Sequence, residues 1–416
     1  MNYLEQIDFF ENMDPRQLTT QYGSPLFVYS ERILRQRCRE IKNLITYPKF
    51  IANYSTKANS NLELLKIIRS EGFHADAMSP GELHLLKMAG FKAHQMINIS
   101  NNVSSEEMAY AIDNRCLISV DSVSQLQRLG SEHPGIDVMI RFNPGMGAGH
   151  HEKVVTAGKQ TKFGVSAAEV QEVKRVLSDF RLNLVGINMH IGSLFMDPDI
   201  YVPPVKSLLA LAELFPTLKV IDFGGGFGVP YHKHRGEARL DLTALGKKLD
   251  EVIKDFVGKT GYQGAFMVEP GRYISAESGV LLGTVHAIKE QFGTRYIGTD
   301  LGFNVIHRPV LYNSHHDIEV YPRRKRLLSE NDRVTVVGNI CETGDIIARN
   351  RRLPAIEEND SLAVLDAGAY CYTMCSNYNQ RLKPAEVLID LDGRVRLIRR
   401  RESIEDLMRL YHGLAA

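Results

Sequence analysis

Four short stretches of the chain set reactive side chains beside small residues. They are Lys57 in ANYSTKANSN, His190 with Ser193 in HIGS, the glycines of GGGFG at 224–228, and Glu269 with Arg272 in EPGR. A lysine attacks carbonyls once burial or a neighbouring cation lowers its pKa. Pyridoxal phosphate is the cofactor most often held that way. Position alone favours a plainer reading of Lys57, a solvated loop lysine. Glycines after a strand let backbone N–H groups approach a phosphate closely. A dinucleotide fingerprint needs a helix next, but GGGFG is followed by VPYHKHRGE, which has no helical pattern. A single phosphate therefore suits Gly226 and its neighbours better. Glu269 can keep a pyridine nitrogen protonated, and Arg272 can clamp a carboxylate through two hydrogen bonds. A structural ion pair between the two explains EPGR equally well. The His190 imidazole can stack on an aromatic ring, with the Ser193 hydroxyl and Gly192 N–H on a phosphate. A lone histidine is more often a satisfied core residue. His150-His151, His232-x-His234 and His315-His316 lack a matching carboxylate or an HExxH frame, and Cys371 with Cys375 lacks a second Cys/His pair. No metal site is expected.

These residues share a place in a rhythm. Short β-type runs recur at 50–55, 73–78, 96–100, 117–120, 137–142, 184–189, 220–223 and 265–268. Between them, NLELLKIIRSEG (61–72), PGELHLLKMAG (80–90), VPPVKSLLALAELF (202–215) and LTALGKKLDEVIKDFVG (242–258) read as helices. The first carries Leu62, Leu65 and Ile68 on one face; the second opens with Pro and closes with Gly. Strands alternating with helices in this way predict a closed (β/α)8 barrel, with an open doubly wound sheet as the alternative. The active site of such a barrel lies at the C-terminal strand ends. There the sequence places Lys57, Asp76 and Ser79, Arg141 and Asn143, His190, the glycines, and Glu269. Strand ends are also simply where polarity begins, so position alone does not decide. After Arg272 the rhythm changes. Runs at 279–287, 296–300, 332–337, 361–366, 386–389 and 395–398, with turns between them, predict an all-β domain. The polar stretch 401–416 reads as a last helix. No low-complexity linker separates the two parts.

At roughly 100–200 residues per domain, 416 residues suit two domains or three. Lys and Arg number 50 against 49 Asp and Glu, so the basic excess of a nucleic-acid binder is missing. No apolar run approaches the roughly 18 residues that a membrane helix requires. The start, MNYLEQIDFFENMD, is acidic and lacks the basic region and cleavage site of a signal peptide. Five cysteines, Cys38, Cys116, Cys341, Cys371 and Cys375, form an odd and sparse set. That points to a reduced, cytoplasmic protein.

Taken together and in this order, STKAN around Lys57, HIGS, GGGFG and EPGR resemble the fold-type III pyridoxal-phosphate-dependent decarboxylases. The C-terminal half resembles one branch of them, the diaminopimelate decarboxylases. The matching residues are Arg308-Pro309 with Tyr312, Cys341-Glu342-Thr-Gly-Asp345, Gly368-Ala369-Tyr370 and Ser376-Asn377-Tyr378-Asn379, together with NPGMGAGHHEK…TKFG (143–164). The resemblance covers nearly the whole chain. It implies an α/β plus all-β architecture: an alanine-racemase-like (β/α)8 barrel over 25–275 and a C-terminal β domain over 276–416, with 1–24 pairing with the β domain. It implies that Lys57 holds pyridoxal 5'-phosphate covalently, that His190 stacks on its ring and that Glu269 meets the ring nitrogen. Ser193, Gly226, the backbone at Gly271 and Arg272, and Tyr370 would hold the phosphate. Arg272, Arg308, Tyr312 and Tyr370 would bind substrate. Glu342 would meet its distal ammonium, and Cys341 would donate a proton. Cys341 and Glu342 would come from a second subunit, making the active form a homodimer with shared active sites. Thr56 stands where the family more often has an aliphatic residue, and Thr343 where it more often has Ser. Neither removes a named chemical group, but both bear on cofactor tuning.

The expected activity is decarboxylation of meso-2,6-diaminopimelate to L-lysine and CO2. That substrate has an amino-acid group at each end, so its site needs anchors of both signs. Arg272, Arg308, Tyr312 and Glu342 supply them. A same-fold decarboxylase of ornithine, lysine or a D-amino acid is an alternative, against which Arg308, Tyr312 and SNYN speak. A non-catalytic relative that binds partners is another, against which Lys57, Glu269 and Cys341 speak. A racemase would need a second base on the opposite face of the cofactor.

Overall fold

The computed structural model describes residues 2–147, 156–158, 161–324 and 332–411. His150, His151 and the rest of the HHEK stretch lie outside the described residues, as do 412–416. The chain divides into two units. One comprises Arg35–Val229 and Arg239–Ile274; the other comprises Met1–Leu34, Pro230–Ala238 and Ser275–Ala416.

Strand β1 (Leu26–Ser30) belongs to the second unit. The first unit is built on β2 (Phe50–Ser55), β3 (His74–Ala77), β4 (Met96–Ile99), β5 (Leu117–Val120), β6 (Asp137–Asn143), the short β7 (Val165–Ser166), β8 (Asn183–Asn188), β9 (Val220–Asp222) and β10 (Ala265–Val268). From β2 to β6 and from β8 to β10 the strands lie side by side and parallel. The ring closes where β10 meets β2, Phe266 opposite Phe50. β7 pairs with β6 alone. Closure rules out the open doubly wound sheet.

Parallel neighbours need long crossovers, here mostly helical. Polar residues after the strands start several of these helices. Ser79 Oγ accepts the Glu82 N–H at the start of helix Pro80–Met88. Ser104 and Glu107 form a reciprocal capping box on helix Ser105–Asp113. Asp241 caps helix Leu242–Thr260, which ends at Gly261 with φ 69°. Losing one such cap costs about 1 kcal/mol.

Strand alternation then sorts polarity by height. Ile97, Ile99, Met139, Val185, Val220 and Met267 form one apolar cluster, with Ile51, Met78 and Leu117 packed on it. Two residues further along, on the same strand face, Ile51 gives way to Asn53, Leu117 to Ser119, Met139 to Arg141, Val220 to Asp222, and Met267 to Glu269. An apolar floor thus lies beneath a polar layer at the C-terminal strand ends. Each large apolar side chain in the floor contributes about 1.5–3 kcal/mol, which offsets the burial of the polar groups above it.

The second unit adds β11 (Gly279–Gln291), β12 (Thr294–Thr299), β13 (Ile318–Tyr321), β14 (Asp332–Val337), β15 (Ile346–Leu353), β16 (Ser361–Val364), β17 (Ala385–Ile389) and β18 (Val395–Arg399). Their order is β15-β14-β12-β11-β1-β17-β18, and β16 links β11 to β13. Most pairs are antiparallel; β1–β17 and β12–β14 are parallel. Leu4, Phe9, Phe10 and Leu18 from the N-terminal segment pack into one core with Leu26, Val28, Val280, Leu282 and Val387.

The observed barrel strands agree with the expected runs to within a residue. Other features differ. The boundary expected at residue 25 does not hold, because β1 has its partners, β11 and β17, in the mixed sheet. Pro230–Ala238 also leaves the barrel unit. Within the second unit, Lys233 Nζ lies 2.6 Å from Asp366 and 3.3 Å from Glu277. The His234 backbone N–H donates to Asp317 Oδ2 at 3.0 Å, and its ring lies 3.5 Å from Glu319. That Glu319 contact raises the His234 pKa. β13 and β15 go beyond the expected runs, and β11 continues to Gln291. Within the expected terminal helix, the described residues form the helix Ile404–Met408 and one 3-10 turn, the start set by a Ser403–Asp406 capping box. No helix among the described residues is long and apolar enough to cross a membrane.

Candidate active site

Lys57, His190, Ser193, Gly226, Glu269, Gly271 and Arg272 lie in the barrel unit; Arg308, Tyr312, Cys341, Glu342 and Tyr370 lie in the β unit. Lys57 is half-buried in a 3-10 turn, Thr56–Ala58, directly after β2. Asp76 on the next strand pins that turn. It accepts from Ser55 Oγ at 2.9 Å and from the Thr56 N–H at 3.3 Å. The Lys57 charge acts on Asp76, Glu269 and His190, so the structure brings these four groups together.

Glu269 is buried at the end of β10. Burial pushes its pKa well up and the Asp222 carboxyl pushes it further, while Lys57 and Arg141 oppose. Asp222, also buried, accepts the Gly224 N–H at 2.8 Å. Burial raises its pKa to about 7. With both acids ionised, Glu269 Oε1 and Asp222 Oδ2 have no donor. With one proton between them the two carboxyls hydrogen-bond to each other. Among the described residues Glu269 makes no ion pair with Arg272. Instead Arg272 sends Nε and Nη2 to Ser193 Oγ, at 3.2 and 2.9 Å.

His190 Nδ1 accepts the Gly225 N–H at 3.1 Å and lies 3.9 Å from Glu269 Oε2. Burial first, then Lys57 and Arg141, hold its pKa well below the usual range. The glycine turn cannot carry side chains. A Cβ on Gly224, whose φ is 72°, would sit 2.0 Å from Met189 O; one on Gly225 would sit 2.0 Å from Glu269 O. Arg141 and Asp222 act on Glu269 although sequence reading gave neither a role. Arg141 had a visible signal, a charge at a strand end; Asp222 had only its spacing from Val220.

In the β unit, Arg308 opens helix Arg308–Tyr312 and is 1% exposed. His316 Nδ1 donates to Leu365 O at 2.7 Å, so Nε2 is left to accept from Arg308 Nη1, also at 2.7 Å. The guanidinium lies over the Tyr231 ring at 4.6 Å. Tyr312 is half-buried. Cys341 and Glu342 are exposed, and Tyr370 is held at φ 57°. A bulky residue in the left-handed region costs roughly 1–3 kcal/mol and persists where its surroundings enforce it, often at functional sites.

Residues 31–276 match the family described as pyridoxal-dependent decarboxylase, pyridoxal binding domain. The diaminopimelate decarboxylase of Methanothermobacter thermautotrophicus is 40% identical over 95% of this chain and 93% of its own. The chain belongs to the diaminopimelate decarboxylase family. A crystal structure of a diaminopimelate decarboxylase superposes with TM-score 0.90 at 30% identity, covering 96% of both chains. That of the Helicobacter pylori diaminopimelate decarboxylase, complexed with L-lysine, gives 0.86 at 29% identity, covering 96% of this chain and 99% of that one. In a diaminopimelate decarboxylase the pyridoxal ring needs a donorless acid, a neutral flat partner and a lysine. Glu269 Oε1, His190 and Lys57 meet those needs, so these residues fit the cofactor.

Proposed function

We propose that the chain removes the carboxyl group at the D centre of meso-2,6-diaminopimelate, releasing CO2 and L-lysine, with pyridoxal 5'-phosphate as cofactor. The observation that carries this reading is the donorless Glu269 oxygen beside Lys57 and a neutral His190. When bound, the cofactor supplies an electron sink for the carbon that loses CO2. Lys57 would hold it covalently, Glu269 would keep a proton at its ring nitrogen, and His190 would cover a ring face. Ser193, Gly226, the backbone at Gly271 and Arg272, and Tyr370 would hold its phosphate. Arg272 also joins Arg308, Tyr312 and Tyr370 in binding substrate, the arginines taking the carboxylate that stays. Glu342 would meet the distal ammonium, and Cys341 would return a proton to the carbon that has lost CO2.

The active form in this reading is a homodimer in which Cys341 and Glu342 serve the other subunit's site. Their exposure supports that placement. All five cysteines are free, which supports a reducing cytoplasm. The test is incubation of the purified chain with pyridoxal phosphate and meso-diaminopimelate, measuring CO2 and lysine beside ornithine, lysine and D-amino-acid controls. Equal molar amounts of CO2 and lysine are expected. Turnover of ornithine in preference to diaminopimelate would overturn the reading.

A further inference from the structure

Two motifs of the β unit meet residue by residue. Asn379 Oδ1 accepts the Cys341 backbone N–H at 3.3 Å and lies 3.4 Å from Cys341 Sγ, while its Nδ2 lies 3.2 Å from the same sulfur. The Tyr378 hydroxyl donates to Glu342 Oε1 at 2.5 Å. Consecutive residues of SNYN therefore hold consecutive residues of CETGD. The turn is shaped for this: Asn379 and Gln380 take φ 55° and 54°, a conformation that asparagine tolerates better than most residues. Asp345 braces the other side. Its carboxylate accepts the N–H groups of Phe303 and Ile340 at 2.6 and 2.8 Å, and the Phe303 ring packs 5.4 Å from that of Tyr378.

The amide of Asn379 has one sensible orientation. A backbone N–H only donates, so the oxygen must face it; the sulfur then meets both ends of the amide, the thiol S–H donating to Oδ1 and the sulfur lone pairs accepting from the NH2 group. A thiol that gives up its proton becomes a thiolate, which needs a donor. We propose that Asn379 is a positioning residue for Cys341: it aims the sulfur and stabilises the thiolate left after Cys341 protonates the carbon that has lost CO2. This rests on the reading of Cys341 as proton donor. In that step the S–H bond breaks and a C–H bond forms. The S–H electron pair stays on sulfur, and a solvent proton later restores the thiol. Tyr378 aims Glu342 in the same manner. The hydrogen bond to that carboxylate raises the Tyr378 pKa, so the phenol remains a neutral donor.

Asn379→Asp keeps the size of the side chain but replaces the N–H donor with a negative charge. The readout is the pH dependence of Cys341 alkylation by iodoacetamide, followed by peptide mass spectrometry on the full chain loaded with pyridoxal phosphate. The midpoint is expected to rise by about 1–2 pH units, with kcat lowered and the KM for diaminopimelate little changed. Asn379→Ala, which adds no charge, should raise the midpoint by less and covers the case in which the aspartate variant fails to fold. An unchanged midpoint in a folded variant overturns the proposal. Cys341→Ser separates the two readings. Undiminished turnover there sinks the proton-donor reading; a dead Cys341→Ser enzyme with an immobile alkylation midpoint in the Asn379 variants sinks the Asn379 proposal alone.

Discussion

The Gly225 N–H donates to His190 Nδ1 across 3.1 Å. A ring nitrogen that accepts carries no proton, so the hydrogen of this imidazole sits on Nε2. Its pKa is held well below the usual range by burial first and then by the Lys57 and Arg141 charges. Nitrogen-15 NMR should find the Nε2–H tautomer throughout pH 6–8. The folded pKa lies below the unfolded one, so the unfolded chain takes up this proton first. Stability from this group is complete above about 6.5 and falls as the pH drops from there toward the folded pKa. A cationic His190 at pH 7 would contradict the assignment.

Lys57→Ala should lose covalent cofactor and nearly all turnover yet keep its fold, because Lys57 is a half-buried residue beyond the strand end. Borohydride reduction of the parent enzyme followed by mass spectrometry should place the pyridoxyl group on Lys57. A label on another lysine would sink the assignment.

The Asp222–Glu269 pair gives two distinguishable variants. Glu269→Gln should retain cofactor but lose on the order of 10²–10⁴ in rate, the scale of a positioned proton-transfer group. Asp222→Asn retains an oxygen for the Gly224 N–H and removes the acid whose pKa lies at about 7. A limb near that pH should vanish from its kcat/KM profile. Persistence of the limb would assign it to another group.

Arg308→Lys keeps the charge but loses the planar fork that His316 now orients. The KM for diaminopimelate should rise, with a smaller relative effect on any residual activity toward lysine, which lacks the second carboxylate. Equal losses on both substrates would mean that Arg308 does not read that carboxylate.

Mixing Lys57→Ala and Cys341→Ala chains tests the shared site. Each homodimer should be nearly inactive. A heterodimer would place both lesions in one site and leave the other whole, so exchange should restore up to about half the per-site activity. No recovery, with exchange confirmed by native mass spectrometry, would put Cys341 in its own chain's site or outside catalysis.

The barrel was legible because its parallel strands are buried on both faces and punctuated by helix caps such as Ser79 and Ser104. Lys57, His190 and Glu269 stood out as polar groups at those strand ends. Asp222 did not, because it is the last residue of a three-residue strand and precedes a more conspicuous glycine turn. β1 was not among the expected runs. LFVYS followed by helix Glu31–Lys42 has the form of a strand–helix unit, and only its distant partners place it in the mixed sheet. β15, IIARNRRL, is largely polar and pairs on one side only, so its alternation is weak. The hold of Asn379 on Cys341 is a contact across two turns, and no local pattern announces it.

The placement of β1 also sets an order of events during synthesis. The barrel strands lie between residues 50 and 268 and can close their ring once that stretch has left the ribosome. β1 emerges before all of them, yet one neighbour, β11, follows the barrel, and the other, β17, is made near the end of the chain. For most of translation the strand Leu26–Ser30 therefore has no partner on either side, and a free edge is where a growing chain pairs wrongly. A fragment stopped at residue 275 would keep that exposure permanently, and one begun at residue 276 would have β11 and β17 with the strand between them missing.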